Sequence, residues 1–152
     1  MTAQPLILDR PAEPARGVPL TVRLRLLSTG SGRPMPGYAV SLWHCAPAGG
    51  PGARARQVAD PDGWVSFPSA FPDAGAGRWP HVHFEVSRAG VRLHAAQLAL
   101  PGDACAQAFG RRQLTGQTLG ADGCFAEGWA LEMPSVTGDA VRGLVATRTV
   151  GL

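Results

Sequence analysis

Two histidines, His81 and His83, flank a single valine in the run His-Val-His-Phe-Glu-Val. Alternate side chains of a strand leave opposite faces, so both imidazoles share one face, and Val82, Phe84 and Val86 share the other. Neutral imidazole is a metal ligand, and two of them on one rigid strand make half of a metal site. The same spacing also suits the polar face of a half-exposed strand. Four carboxylates are candidate third donors, Asp73 in the preceding loop, Glu85 on the same strand, and Asp60 and Asp62 at a hairpin tip, because two histidines and a carboxylate form the usual open site for Fe(II). Glu85 has the right face but lies further along the strand. His44 and His94 have the wrong parity and read as core or surface histidines. Cys45 shares a strand face with Trp43 and reads as a small buried hydrophobe.

The elements that must position these groups are short strands. Leu20, Val22, Leu24 and Leu26 alternate with Thr21, Arg23 and Arg25, the pattern of a half-buried strand over 18–28. Tyr38–Cys45 reads as a second strand, with Val40 and Leu42 on one face and Ser41, Trp43 and Cys45 on the other. Ala46–Ala55, rich in glycine and proline, reads as an irregular loop. Asp60-Pro61-Asp62-Gly63 is a turn before a strand at Trp64–Ser69. Further strands are expected at His81–Ser87, Val91–Leu100 and Val141–Val150, with one short helix within Gly102–Arg112. The chain holds 20 glycines and 14 prolines, which fits many turns and excludes long helices. The expectation is an all-β, single-domain β-sandwich of about seven to nine short strands over 17–152, after an N-terminal extension at 1–16.

Composition narrows the function classes. A mean hydropathy of +0.00 is that of a soluble globular chain, and no stretch approaches a membrane span. The net charge of +3 comes from scattered arginines without any lysine, and no basic run or recognition helix is visible. Neither nucleic acid nor a membrane is therefore expected as a partner. Three cysteines, Cys45, Cys105 and Cys124, have no metal-type spacing and no secretory signal precedes them, which suggests the cytoplasm. A Cys105–Cys124 bridge is conceivable.

The order of signals resembles the intradiol ring-cleavage dioxygenases, which cleave catechol and protocatechuate. Gly17-Val18-Pro19-Leu20 precedes the first strand. Gly32-Arg33-Pro34-Met35-Pro36-Gly37 is similar to the family's Gly-x-Pro-x-Pro-Gly turn, and Val40-Ser41-Leu42-Trp43-His44-Cys45 to its strand ending in Trp-His-Cys-Asp. Asp62-Gly63 with Phe67 resembles the next hairpin. Phe71-Pro72, Gly77-Arg78 and His81-Val82-His83-Phe84 follow the family's Pro-Gly-Trp-Tyr-x-Gly-Arg-x-x-His-Ile-His stretch. Gln97-Leu98 and the segment from Gly143 to Gly151 complete the order.

Members of that family hold non-haem Fe(III) between two histidines and two tyrosines. The resemblance places the histidines on His81 and His83, the substrate-side arginine on Arg78, the glutamine on Gln97 and a tryptophan near the site on Trp43. It places the tyrosines near Pro51 and on Gly75, and the only tyrosine of this chain is Tyr38. Without phenolates a ferric ion loses its charge compensation, whereas two imidazoles also suit Fe(II), Cu or Zn. Asp73, which stands where the family has glycine, becomes the preferred third metal ligand. Arg78 can hold a phenolate, enolate or carboxylate by paired hydrogen bonds. Trp43 and Trp79 can wall a flat substrate, and the loss of two tyrosines leaves room for a larger one.

The implied function is an oxidoreductase acting with O2 on a phenolic or catecholic aromatic, through non-haem iron, copper, or no metal at all. Two alternatives remain open: a metal-independent isomerase, cyclase or hydrolase on the same scaffold, and a non-catalytic small-molecule-binding β-sandwich. A homo-oligomer is expected for so small a sandwich with open edges.

Overall fold

The computed structural model describes residues 18–45, 51–72, 80–108 and 130–152. Among these residues the order is β1 (Pro19–Leu27), β2 (Ala39–Cys45), β3 (Pro51–Val58), β4 (Trp64–Ala70), β5 (His81–Arg88), β6 (Val91–Ala99), α1 (Gly102–Ala108), β7 (Ala130–Glu132), β8 (Ser135–Asp139) and β9 (Gly143–Gly151). One sheet runs β4-β1-β9-β8 and the other β3-β2-β5-β6-β7. Most neighbours are antiparallel; β1 pairs with β9, and β6 with β7, in parallel. The fold is the all-β sandwich that the strand pattern leads one to expect.

Alternation makes the sandwich. Leu20, Val22, Leu24 and Leu26 of β1 are buried, and the intervening residues are only partly so. They pack with Val65 and Phe67 of β4 and Leu144, Ala146 and Val150 of β9 against the other sheet's Val40, Leu42, Val82, Phe84, Val86, Ala96 and Leu98. Each valine, leucine or phenylalanine among them contributes about 1.5–3 kcal/mol of burial free energy.

The turns follow local chemistry. The Asp60 carboxylate accepts the backbone N–H groups of Asp62 and Trp64 at 2.9 Å each, holding the β3–β4 turn. Gly63 sits at φ 85°, and a Cβ there would lie 2.5 Å from the Leu26 carbonyl oxygen. Only glycine fits so close to backbone in that conformation. Asp60 and Asp62 are thus exposed turn residues, not donors gathered with the histidines.

Three elements depart from the sequence reading. The segment read as a loop over Ala46–Ala55 contains the start of β3, which pairs with β2 from Ala39↔Val58 to Trp43↔Arg54. β3 is an edge strand, where proline costs no ladder hydrogen bond. β7 and β8 have three and five residues, too few for a periodic signal. The helix read within Gly102–Arg112 is described over Gly102–Ala108, burying Ala104, Cys105 and Ala108.

Candidate functional site

The site lies on the outer face of the five-stranded sheet, away from the sandwich core. Strand register builds it. Trp43 stands directly opposite Arg54 on β3 and His83 on β5, and His83 stands opposite Gln97 on β6. Directly paired residues share a face, so Arg54, Trp43, His83 and Gln97 form one rung across four strands. Three of the four are buried: Trp43 at 1% exposure, His83 at 0% and Gln97 at 6%. Such burial shows that this face, though turned from the core, is covered rather than a solvated strand face.

Ring contacts fix the centre of the rung. The Trp43 and His83 rings are stacked, 5.5 Å between centroids and 10° between planes. The Arg54 guanidinium lies 3.8 Å from the Trp43 ring centroid. His81, one pleat away on the same face and partly buried, meets His83 edge-on with 4.8 Å between ring centroids. A first-row metal ion lies ~2.1 Å from an imidazole nitrogen, hence ~3.2 Å from the ring centre. Rings with centroids 4.8 Å apart would then subtend roughly 100° at a shared ion, between the octahedral and tetrahedral angles. The centroid spacing of the pair leaves room for one divalent ion between the rings.

The rest of the donor set is sparser. Glu85 shares the face of the histidines, but Arg54 donates to its Oε1 at 2.8 Å, and Arg92 lies 3.9 Å from its Oε2. Tyr38 packs against the core with the Arg88 guanidinium 4.8 Å from its ring centroid. It stands five residues from Trp43, roughly 16 Å along an extended chain, so no phenolate of this chain reaches the histidine pair. Among the described residues no group of three or more His, Cys, Asp or Glu side chains is arranged to hold a metal ion. The described donors fit half of a divalent site and do not fit a ferric site built on phenolates. Asp73 and Arg78, the expected third ligand and substrate-side arginine, lie outside the described residues, as do Trp79 and Cys124.

The other two histidines have their own partners. His44 projects to the core side of β2, as its parity requires, and its Nε2 lies 3.3 Å from the Ser69 hydroxyl on β4 of the opposite sheet. Burial, and then the fields of His83 and His81, push its pKa down to about 3, so it is neutral at physiological pH. It is a core histidine on the opposite face, yet close enough for the site's charges to act on it. His94 Nε2 lies 2.6 Å from the Glu132 carboxylate, which also accepts from Arg148 at 2.9 Å and so ties the two sheets together. Cys105 is a free buried thiol, with its pKa pushed up to about 12 by burial and then by Asp103. It is inert as a nucleophile.

This arrangement has counterparts among solved structures. An intradiol ring-cleavage dioxygenase from Tetranychus urticae superposes with a TM-score of 0.64 at 19% identity, covering 89% of this chain and 80% of that one. The dioxygenase domain of a dioxygenase–carbohydrate-binding fusion from Streptomyces sp. SirexAA-E matches at 0.60 and 20% identity, covering 91% and 81%. This chain has the intradiol dioxygenase fold. Catechol 1,2-dioxygenase from Pseudomonas arvilla C-1 has it too, with a TM-score of 0.55, 19% identity and coverage of 90% of this chain and 52% of the larger enzyme. No protein-family model and no curated protein sequence matches the chain.

Within the intradiol fold, the structure brings together four of the six residues expected at the site: Trp43, His81, His83 and Gln97. The residues that sequence reading missed are Arg54 and the bridging role of Glu85. The signal for Arg54 was present in the alternation Arg54, Arg56, Val58, masked by the glycines and prolines before it.

Proposed function

We propose that this chain is a dioxygenase-like oxidoreductase that acts with O2 on a small phenolic or catecholic aromatic, at the outer face of the five-stranded sheet. The observation that carries the reading is the burial of His83 on that face, between Trp43 and Gln97, with His81 at metal-sharing distance. The solved structures of this fold named above are dioxygenases, one of them of catechol, and this supports the same reaction class here.

In this reading His81 and His83 hold a divalent non-haem metal, iron by analogy with the reaction class, and Asp73 is the third protein ligand. Bound iron would supply a Lewis-acidic centre and redox chemistry with O2. The chain's own residues do the rest. The Trp43 ring, stacked on His83, supports that imidazole from behind the site. The Gln97 amide hydrogen-bonds a substrate oxygen, and Arg78 stabilises the negative charge that develops on it. A reducing, cytoplasmic setting and a homo-oligomer belong to the same proposal; the free Cys105 thiol accords with the first. No described helix is long and apolar enough to cross a membrane.

The second reading is a metal-independent enzyme on the same scaffold, with a site histidine as general base and Arg78 as charge partner. O2 uptake by iron-supplemented protein over a panel of catechols and phenols separates the two. Uptake that is lost in Gln97→Ala and in His81→Ala/His83→Ala supports the oxygenase. Substrate turnover without O2 consumption, in protein stripped of metal, supports the second reading.

A further inference from the structure

Arg54 and Glu85 are charged residues that the proposed chemistry does not use, yet Arg54 touches the site at Trp43 and Glu85 holds Arg54. Glu85 lies one pleat from His83 on the same face of β5, and Arg54 lies on the neighbouring edge of the sheet. The Arg54 guanidinium is 3.8 Å from the Trp43 ring centroid, and Trp43 in turn stacks on His83 at 5.5 Å. The same guanidinium donates to Glu85 Oε1 at 2.8 Å, with Arg92 3.9 Å from the other carboxylate oxygen. Three strands thus contribute to a closed circuit, from Glu85 on β5 to Arg54 on β3, Trp43 on β2 and back to His83 on β5.

We infer that Arg54 is a positioning residue that sets the ring plane of His83 through Trp43, with Glu85 as its anchor. A cation over an aromatic face is attracted to the ring's quadrupole. A guanidinium held by a carboxylate cannot slide along that face, because its planar fork is fixed by the ion pair. The indole then has a pinned cation on the β3 side and an imidazole on the β5 side, both on its own rung. Turning the indole would break one contact or the other, so the His83 plane is held by packing. A metal ligand is tuned by what fixes its ring, and loss of such support typically weakens metal binding 10–100-fold. The circuit also gives Glu85 a task other than ligation. The inference rests on the proposed role of His83, but its first readout does not need a metal.

The experiment is a long-range 1H–15N correlation spectrum of the imidazoles in metal-free wild type, Arg54→Gln, Arg54→Lys and Glu85→Gln, followed by Zn(II) titration of each. Arg54 is 44% exposed, so its variants are expected to fold. Arg54→Gln should shift or broaden the His83 ring signals and leave those of His94 in place. Glu85→Gln should do the same more weakly, and Arg54→Lys, which keeps the cation, should restore part of the wild-type pattern. Zn(II) affinity of Arg54→Gln should fall at least about tenfold. His83 signals unchanged in Arg54→Gln would overturn the inference and leave an ordinary surface ion pair. A moved His83 ring in a protein whose wild type takes up no Zn(II) would uphold the positioning role and remove the metal reading instead.

Discussion

Trp43 and His83 face each other directly across β2 and β5, and their rings lie 10° from parallel although both point away from the sandwich core. The pair is buried as deeply as the core itself. The site is therefore part of the protein's packing as well as its chemistry.

Replacing Trp43 separates the two roles. Trp43→Ala removes a fully buried indole and should cost about 3–5 kcal/mol of unfolding free energy. Trp43→Phe keeps a ring beside His83 and should cost less than half of that. Urea denaturation of both variants checks the ordering, and equal losses would show that the stack itself adds nothing.

His44 imposes a pH dependence with a definite sign. Its folded pKa, about 3, lies below the unfolded value of 6.5, because burial, then His83, then His81 disfavour the imidazolium. The unfolded chain binds the proton first, so His44 leaves stability untouched above pH 6.5 and removes it as pH falls from 6.5 towards 3. The slope is about 1.4 kcal/mol per pH unit in that window. His44→Gln should flatten this part of the curve of stability against pH, measured by denaturant midpoints at pH 7, 6 and 5.

The β5–β6 hairpin turns through Ala89 at φ 53° and Gly90 at φ 78°. Both central residues of this turn have positive φ, which costs alanine more than asparagine. Ala89→Asn should raise stability by about 0.5–1 kcal/mol. A thermal melt reads it, and a fall in midpoint would contradict the assignment.

Much of this was legible from residue order alone. The alternation of β1 and of Val82, Phe84 and Val86 gave their buried faces directly, because period 2 is a local property of a strand. That His81 and His83 share a face followed from the same parity. Register is not local. Nothing within β2 or β5 says that Trp43 meets His83, rather than Ser41 meeting it, because pairing is decided by turns and by the opposite sheet. The resemblance to a family put Trp43, His81, His83 and Gln97 near one another, and the register brings them onto adjacent rungs of one face. Arg54 was missed because proline and glycine dominate the start of β3, and an edge strand tolerates both. Glu85 was read as a possible metal donor from its face, whereas its carboxylate is taken by Arg54 across the sheet.

The central claim is that His81 and His83 hold a catalytic metal. The most direct test is metal content by plasma mass spectrometry of untagged protein reconstituted with Fe(II), beside the His81→Ala/His83→Ala variant. The account predicts near-stoichiometric iron in the wild type and its loss in the variant, without the strong visible charge-transfer band that phenolate ligands give to ferric iron. Wild-type protein that retains no Fe(II), Cu(II) or Zn(II) would contradict it and leave a metal-independent activity on this fold.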